Sequence, residues 1–426
     1  MFTTTSFVLK GDICYSEGPQ ALNTLQDGWL VCLEGRSAGA FRALPARYAG
    51  LPVLDCTGAL IVPGLTDLHV HAPQYAFRGL GMDLELLDWL NTHTFPEESR
   101  YADLEYARTA YHRFVEDVRR GPNTRACIFA TIHLNATLLL MDLLEASGLC
   151  TMVGKVNMDR NSPDTLREDS AAASLERTAA WLEEVRGRRY THTLPILTPR
   201  FIPSCSDGLL EGLGRLRREQ GLPVQSHLSE SLGEIAWVRE LCPGARSYGD
   251  AYDRFGLFGG PGCPTIMAHC VHSDTAEIAL MKARGVFAAH CPASNANLSS
   301  GIAPVRLFLE EGMPVGLGSD IAAGTHTSIF RAMADAVQVS KLRWRLVDDT
   351  LAPLTAKEAF FLGTLGGGAF FGKAGSFSPG YEFDALVLDD SRYAGPMDLE
   401  QRLERTIYLS DERDIRHKFV QGRQLF

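Results

Sequence analysis

A chain of 426 residues with 45 % apolar content is long enough for one large core, or for a large domain with a smaller companion, and 22 % charged residues is ordinary for a globular protein in water. Its 41 basic and 51 acidic residues give a formal net charge of −10 without a Lys/Arg cluster, which speaks against a nucleic-acid partner. No run approaches the ~18 apolar residues of a membrane span. The opening MFTTTSFVLKGDICYS lacks the basic segment and unbroken apolar stretch of a signal peptide. The ten cysteines are scattered with no C-x-x-C, so they read as reduced, mostly buried thiols of a cytoplasmic protein.

The first sixty residues are β-like. SFVLKGDICYS, GWLVCLEG and LPVLDCTGALIVPG are short apolar runs broken by Gly, Asp and Ser. The carboxyl-terminal GSFSPGYEFDALVLDD and DIRHKFVQGRQLF look alike, so residues 1–62 and 373–426 are expected to share one small sheet domain around a central domain, 63–372. The centre alternates. Apolar strand candidates end at Val70, Ala130, Val156, Thr198, Ser226, Ala268, Ala289 and Gly318. Amphipathic stretches such as SLERTAAWLEEVRG and DGLLEGLGRLRREQG follow most of them. Gly148, Gly187, Gly221, Gly285 and Gly312 mark expected helix ends. Eight strands alternating with helices predict an α/β chain with a (β/α)8 TIM barrel rather than an open sheet.

In such a barrel, functional groups sit at the carboxyl ends of the strands. His69 and His71 end the first candidate strand, His227 the fifth, His269 the sixth, His290 the seventh and Asp320 the eighth. Side chains two apart on a strand share a face, so His69 and His71 point together into the barrel mouth. Three imidazoles and a carboxylate from His69, His71, His227 and Asp320 suit zinc, with His269 as a fifth ligand or the holder of a bound water. An H-x-H pair alone is a weak signal; the coincidence of so many chemical groups at successive strand ends is a stronger one. His93, His112, His133, His192, His272 and His417 read as surface or core histidines, as does His326, which follows strand eight closely enough to border the pocket. Glu230, three residues after His227, has two readings: a proton carrier beside a bound cation, or an acid at a helix amino terminus. Spacing leaves both open.

The stretches PGLTDLHVHAPQY, LLDWLNTHTFPEESRYAD, GKVNMDRNSPD, TPRFIPSCS, SHLSE, MAHCVHSD, AHCPASNANLSSG and GLGSDIAAGT together resemble the amidohydrolase superfamily, in its mononuclear deaminase branch, and within it the guanine deaminases. The resemblance spans Pro63 to Thr325. It implies one Zn2+ per subunit, with Fe2+ as the alternative, bound by His69, His71, His227, His269 and Asp320. It implies Glu230 as proton shuttle, Asp320 as a second proton acceptor, and His290 hydrogen-bonded near the reacting centre. It further implies that Gln74, Arg200 and Phe201 contact a purine base, Arg200 and Gln74 reading its oxo edge. Trp89, Phe95 and Phe201 are candidates for apolar walls; core packing is the plainer reading of Trp89 and Phe95, and Trp89 is kept as a substrate contact. The family's composite β-sandwich matches the two β-rich ends, and its members are commonly homodimers. Guanine would give xanthine and ammonia. Cys270, Ser319, Ala323, Phe77 and Arg78 depart from the usual family residues.

Other readings compete. The same chemistry could act on 8-oxoguanine, a pterin, an adenine derivative or a triazine. A two-metal cyclic-amide hydrolase commonly needs a bridging Lys at the end of strand four, where PILTPRF has Arg200. A metal-free scaffold should have lost ligands, and none is missing. A cysteine nucleophile at Cys291 is disfavoured because strand neighbours of His290 point to the opposite face.

Overall fold

The computed structural model describes residues 4–262, 264–393 and 395–426. Both ends of the chain enter one sheet. Its seven strands run, edge to edge, Arg423–Gln424, Ile415–Val420, Ala385–Leu388, Val53–Pro63, Phe7–Ser16, Leu22–Leu33 and Arg36–Phe41. Alternate side chains of these strands, among them Phe7, Leu9, Ile13, Ala385 and Val387, gather on one face with Phe377, Phe383 and Phe419. Phe7 meets Phe383 edge to face, ring centres 5.3 Å apart.

The central chain forms parallel sheets. Leu65–His71, Asn123–Phe129, Cys150–Gly154 and Thr193–Pro195 make one, and Val224–Leu228, Thr265–His269, Val286–His290 and Val315–Leu317 make another. Val156–Asn157 pairs with Thr198–Pro199 in a third, two-stranded piece. The expected third and fourth strands are therefore each split in two. The sheets touch at both edges. Leu197 bridges in parallel to Val224. At the opposite edge, Asp320 N donates to His69 O at 2.8 Å and His71 N to Ile321 O at 3.3 Å. Leu68, Cys127, Ile196, Ile266, Ala268 and Ala289 pack into one apolar cluster beneath these strand ends, with Phe370 against it. Gly318 allows the closest approach: a Cβ there would lie 2.8 Å from Cys291 Sγ and 2.9 Å from His69 Cβ.

Helices start where short polar residues can satisfy free N–H groups. The Asp103, Ser170, Ser206, Ser231 and Asp274 side chains each accept from the first turn of a following helix. Gly148, Gly221 and Gly285 end helices in the left-handed conformation, as expected, and Gly312 lies just past Val305–Glu310. Gly187 does not end its helix. Ala171–Arg188 runs through it and stops at Arg189, which takes the left-handed conformation itself at φ 53°. Nine cysteines among the described residues are unpaired, and all but Cys242 are buried; Cys263 lies outside the described residues. Among the described residues no helix is long and apolar enough to cross a membrane.

Candidate active site

The carboxyl ends of the parallel strands bring the candidate ligands together. His69 Nε2 lies 3.2 Å from His71 Nε2, which lies 3.3 Å from His227 Nε2. Asp320 Oδ1 is 3.2 Å from His69 Nε2 and 3.5 Å from His71 Nε2, and its Oδ2 is 3.8 Å from His269 Nε2. The rings of His69, His71 and His227 rest on Phe129, with centres 4.6–5.0 Å away. All five donor residues are buried. Three strand ends leave the sheet through non-glycine residues in the left-handed region: Ser229 (φ 48°), His269 (74°) and Cys270 (52°), and Asp320 (46°). Such conformations cost of order 1–3 kcal/mol and gather at functional sites.

The donor chemistry fits a divalent cation. His227 Nδ1 lies 2.6 Å from Arg200 O, and His269 Nδ1 lies 2.9 Å from Asn295 Oδ1. Both partners are acceptors, so both Nδ1 atoms carry the proton and both Nε2 lone pairs are bare. Two Nε2 atoms that face each other share at most one proton, and here four Nε2 atoms and a carboxylate crowd one centre. Burial, and then the charge of neighbouring His69, pushes His71 and His227 well below the ordinary imidazole range. Neutral imidazole is the ligating form. Burial opposes the charge on Asp320, but His69, His269 and His71 outweigh it and hold the carboxyl well below its usual range. Asp67 stands behind this set. It accepts from Ser319 Oγ at 2.5 Å, from Ser319 N at 3.0 Å and from His69 N at 3.2 Å, while burial pushes it up to about 7.

Glu230 is freed from the helix start that spacing left as its second reading. Ser231 caps Leu232–Leu241 by accepting from Glu234 N at 3.2 Å, and Glu234 Oε2 accepts from Glu230 N at 3.1 Å. The Glu230 carboxyl instead faces the cation set, with Oε2 3.4 Å from His269 Nε2. Ser300 Oγ donates to its Oε1 at 3.4 Å. Burial, and next the charge of Asp320, raises Glu230 well above the usual carboxyl range. Glu234 is pushed up to about 7, mainly by burial and then by Glu230.

One cavity joins these groups to the expected purine contacts. It is lined by His71, His227, His269, Asp320 and Glu230 together with Gln74, Trp89, Arg200 and Phe201, and by Leu86, Leu90, Leu298 and Ala323. Trp89 also donates Nε1–H to Leu80 O at 3.1 Å. Phe95 packs against Arg200 rather than lining the cavity, its ring centre 5.2 Å from the guanidinium carbon. His290 is buried outside the lining with no partner for Nδ1 among the described residues, and burial, then His269, pushes it down to about 3.

Sequence reasoning missed several groups. Glu98 forms an ion pair with Arg200 and accepts from Gln74; TFPEE carries it, but one sequence offers no sign of a partner 102 residues away. Asn295, on the short helix Pro292–Asn297 after strand seven, and Ser300, in the loop beyond it, hold His269 and Glu230. Cys291 is a correction: the strand stops at His290, alternation stops with it, and the buried thiol lies with His269 and Asp320, within 4.8 Å.

The amidohydrolase family profile matches residues 60–425, and the chain belongs to that family. Within it, the chain is similar to guanine deaminases. It is 39 % identical over 382 residues to the guanine deaminase of Dictyostelium discoideum, covering 88 % of this chain and 84 % of that one. It is 34 % identical to that of Escherichia coli, covering 95 % and 92 %. A crystal structure of guanine deaminase from C. acetobutylicum with guanine in its active site superposes with a TM-score of 0.95 at 45 % identity, covering 99 % of this chain and all of the other.

Proposed function

We propose that this chain is a guanine deaminase, hydrolysing guanine to xanthine and ammonia. The observation that carries the reading is that one cavity is lined by the clustered His and Asp donors, a buried carboxyl and the side chains of Gln74 and Arg200. In this reading His69, His71, His227, His269 and Asp320 hold one zinc ion, with iron the alternative. When bound, the ion supplies a water of lowered pKa as nucleophile for the ring carbon bearing the amine. Glu230 is the proton carrier. It takes one proton from the attacking water and passes it to the adjacent ring nitrogen, then carries the second proton, released from the same oxygen to Asp320, to the amine so that it leaves as ammonia. Asp320 is the second proton acceptor. Arg200 and Gln74 donate to the oxo edge, Phe201 and Trp89 cover the ring faces, and His290 hydrogen-bonds near the reacting centre.

The parallel sheets that touch at both edges, and the apolar cluster drawn from four strands of the two sheets, support a single closed (β/α)8 barrel over residues 63–372. In this reading the flanking segments 1–62 and 373–426 fold as a composite β-sandwich. Kinship with guanine deaminases and the unpaired cysteines support a cytoplasmic homodimer acting in purine breakdown. The test is direct: pure protein is incubated with guanine, and xanthine formation is followed by ultraviolet absorbance with ammonia release as a second channel. A panel of 8-oxoguanine, pterin, adenine derivatives and amino-triazines runs beside it. Turnover of one of these in preference to guanine would replace the substrate and keep the chemistry.

A further inference from the structure

We propose that Glu98 is a positioning residue that makes the Arg200 end of the cavity electrically neutral, so that the site selects uncharged oxo-heterocycles and rejects anionic ones. The proposal rests on the reading of Arg200 and Gln74 as the purine contacts.

Glu98 lies on the short helix Phe95–Ser99 and is 2 % exposed. Both carboxylate oxygens face the Arg200 guanidinium: Nη2 donates to Oε1 at 3.1 Å, and Nη1 pairs with Oε2. Gln74 Nε2 donates to the same Oε1 at 2.9 Å, and Gln74 Oε1 accepts from Ala322 N at 3.0 Å. That second bond settles which end of the amide is oxygen. Glu98 therefore ties together the two side chains expected to hold the base, from a helix separate from the segments that carry them.

The bonding leaves a definite remainder. Arg200 has five N–H donors and spends two on Glu98. Gln74 spends one amide hydrogen on Glu98 and its oxygen on Ala322. What is left to face a ligand is mostly N–H donors, with one lone pair on Gln74 Oε1, so the edge they hold must present mainly acceptors, as a ring carbonyl does. The charge is equally definite. A buried guanidinium without a carboxylate would draw in an anion to compensate it. With Glu98 bound, the pair keeps its donors and loses its net charge. A neutral lactam gains the hydrogen bonds, while an anion of the same shape pays its desolvation without a counter-charge at that end.

The experiment compares two non-substrates as competitive inhibitors of guanine turnover at neutral pH: hypoxanthine, which is uncharged and carries the oxo edge, and urate, which is an anion. The wild-type protein is expected to bind hypoxanthine the more tightly. Glu98→Gln keeps the size of the side chain and removes its charge. It is expected to shift the ratio of the two inhibition constants toward urate by about tenfold or more, to raise KM for guanine more than it lowers kcat, and to retain bound zinc. A variant lacking both charges, Glu98→Gln with Arg200→Gln, is expected to reject urate again while binding guanine weakly. It carries the test if Glu98→Gln alone does not fold. Equal shifts for both inhibitors in Glu98→Gln, or urate tighter than hypoxanthine in the wild type, would overturn the proposal. Calorimetric titration with the same two ligands reads the selectivity even if guanine is not turned over, so failure of the substrate reading and failure of this one are separable.

Discussion

Glu230 and Asn295 have different jobs within a few ångströms of His269. Glu230 is buried, with burial and the Asp320 charge raising its carboxyl above the usual range, the direction a proton carrier needs. Glu230→Gln keeps the shape and removes the proposed proton carrier. It should retain zinc and lower kcat by about 10²–10⁴-fold; full zinc content with near wild-type turnover would remove Glu230 from the mechanism. Asn295 acts through His269, whose Nδ1–H it accepts at 2.9 Å. Asn295→Ala should leave the imidazole free to rotate and weaken zinc binding by about 10–100-fold, read by competition with a chromophoric chelator. Glu230 shows how far a residue can be read without its neighbours. Its distance from His227 made it a candidate, but only the Ser231 cap and the Glu234 bond settled that it serves the cavity and not the helix.

At the scale of elements, the site depends on how closely strands approach. The last parallel strand, Val315–Leu317, delivers Asp320 past Gly318, which lies against His69 and Cys291. A methyl group there has no room, because the contacts at 2.8 and 2.9 Å come from a strand end and a buried thiol that are themselves packed. Gly318→Ala should therefore separate Asp320 from the histidines. The expected cost is about 1–3 kcal/mol in denaturant unfolding, together with a measurable loss of zinc affinity. An alanine variant with unchanged zinc affinity would mean that the edge between the two sheets is not what sets the ligand spacing. The strands themselves were legible from their apolar runs. The breaks in the third and fourth were not, because Lys155 and the Ile196–Leu197 step change partners between sheets, which no local pattern records.

Across the whole molecule, the terminal sheet is locked to the central strands by buried charge. Arg125 Nε donates to Asp384 Oδ2 and its Nη2 to Glu382 Oε2, both at 2.6 Å. Lys418, fully buried, donates Nζ to the carbonyls of Val118, Arg119, Gly121 and Asn123 at 2.6–3.1 Å. Three of these carbonyls end the helix Leu104–Arg120 or follow it, where a cation compensates the helix dipole. Burial, and then Arg119, pulls Lys418 well below the ordinary lysine range. Lys418→Met fills similar space without donors. It should cost about 3 kcal/mol of stability, read from the urea midpoint, and leave kcat near wild type because Lys418 is remote from the cavity. A fall in kcat with an unchanged midpoint would place the terminal sheet in the chemistry instead of the scaffold.

What the sequence determined by itself is periodic or local: apolar runs of strand length, helix patterns between them, and histidines and an aspartate where those runs stop. A strand's two-residue period is enough to aim His69 and His71 the same way, so two of the five candidate donors could be read from one strand. Family likeness extended the reading to Gln74, Arg200 and Phe201. What only the tertiary structure decided is which distant groups answer each other. Glu98 meets Arg200 and Gln74, Asn295 meets His269, and Cys291 turns in beside Asp320. Hydrogen bonds and charge pairs act over about 3 Å of space regardless of distance along the chain, so their partners exist only once the strands have been brought side by side.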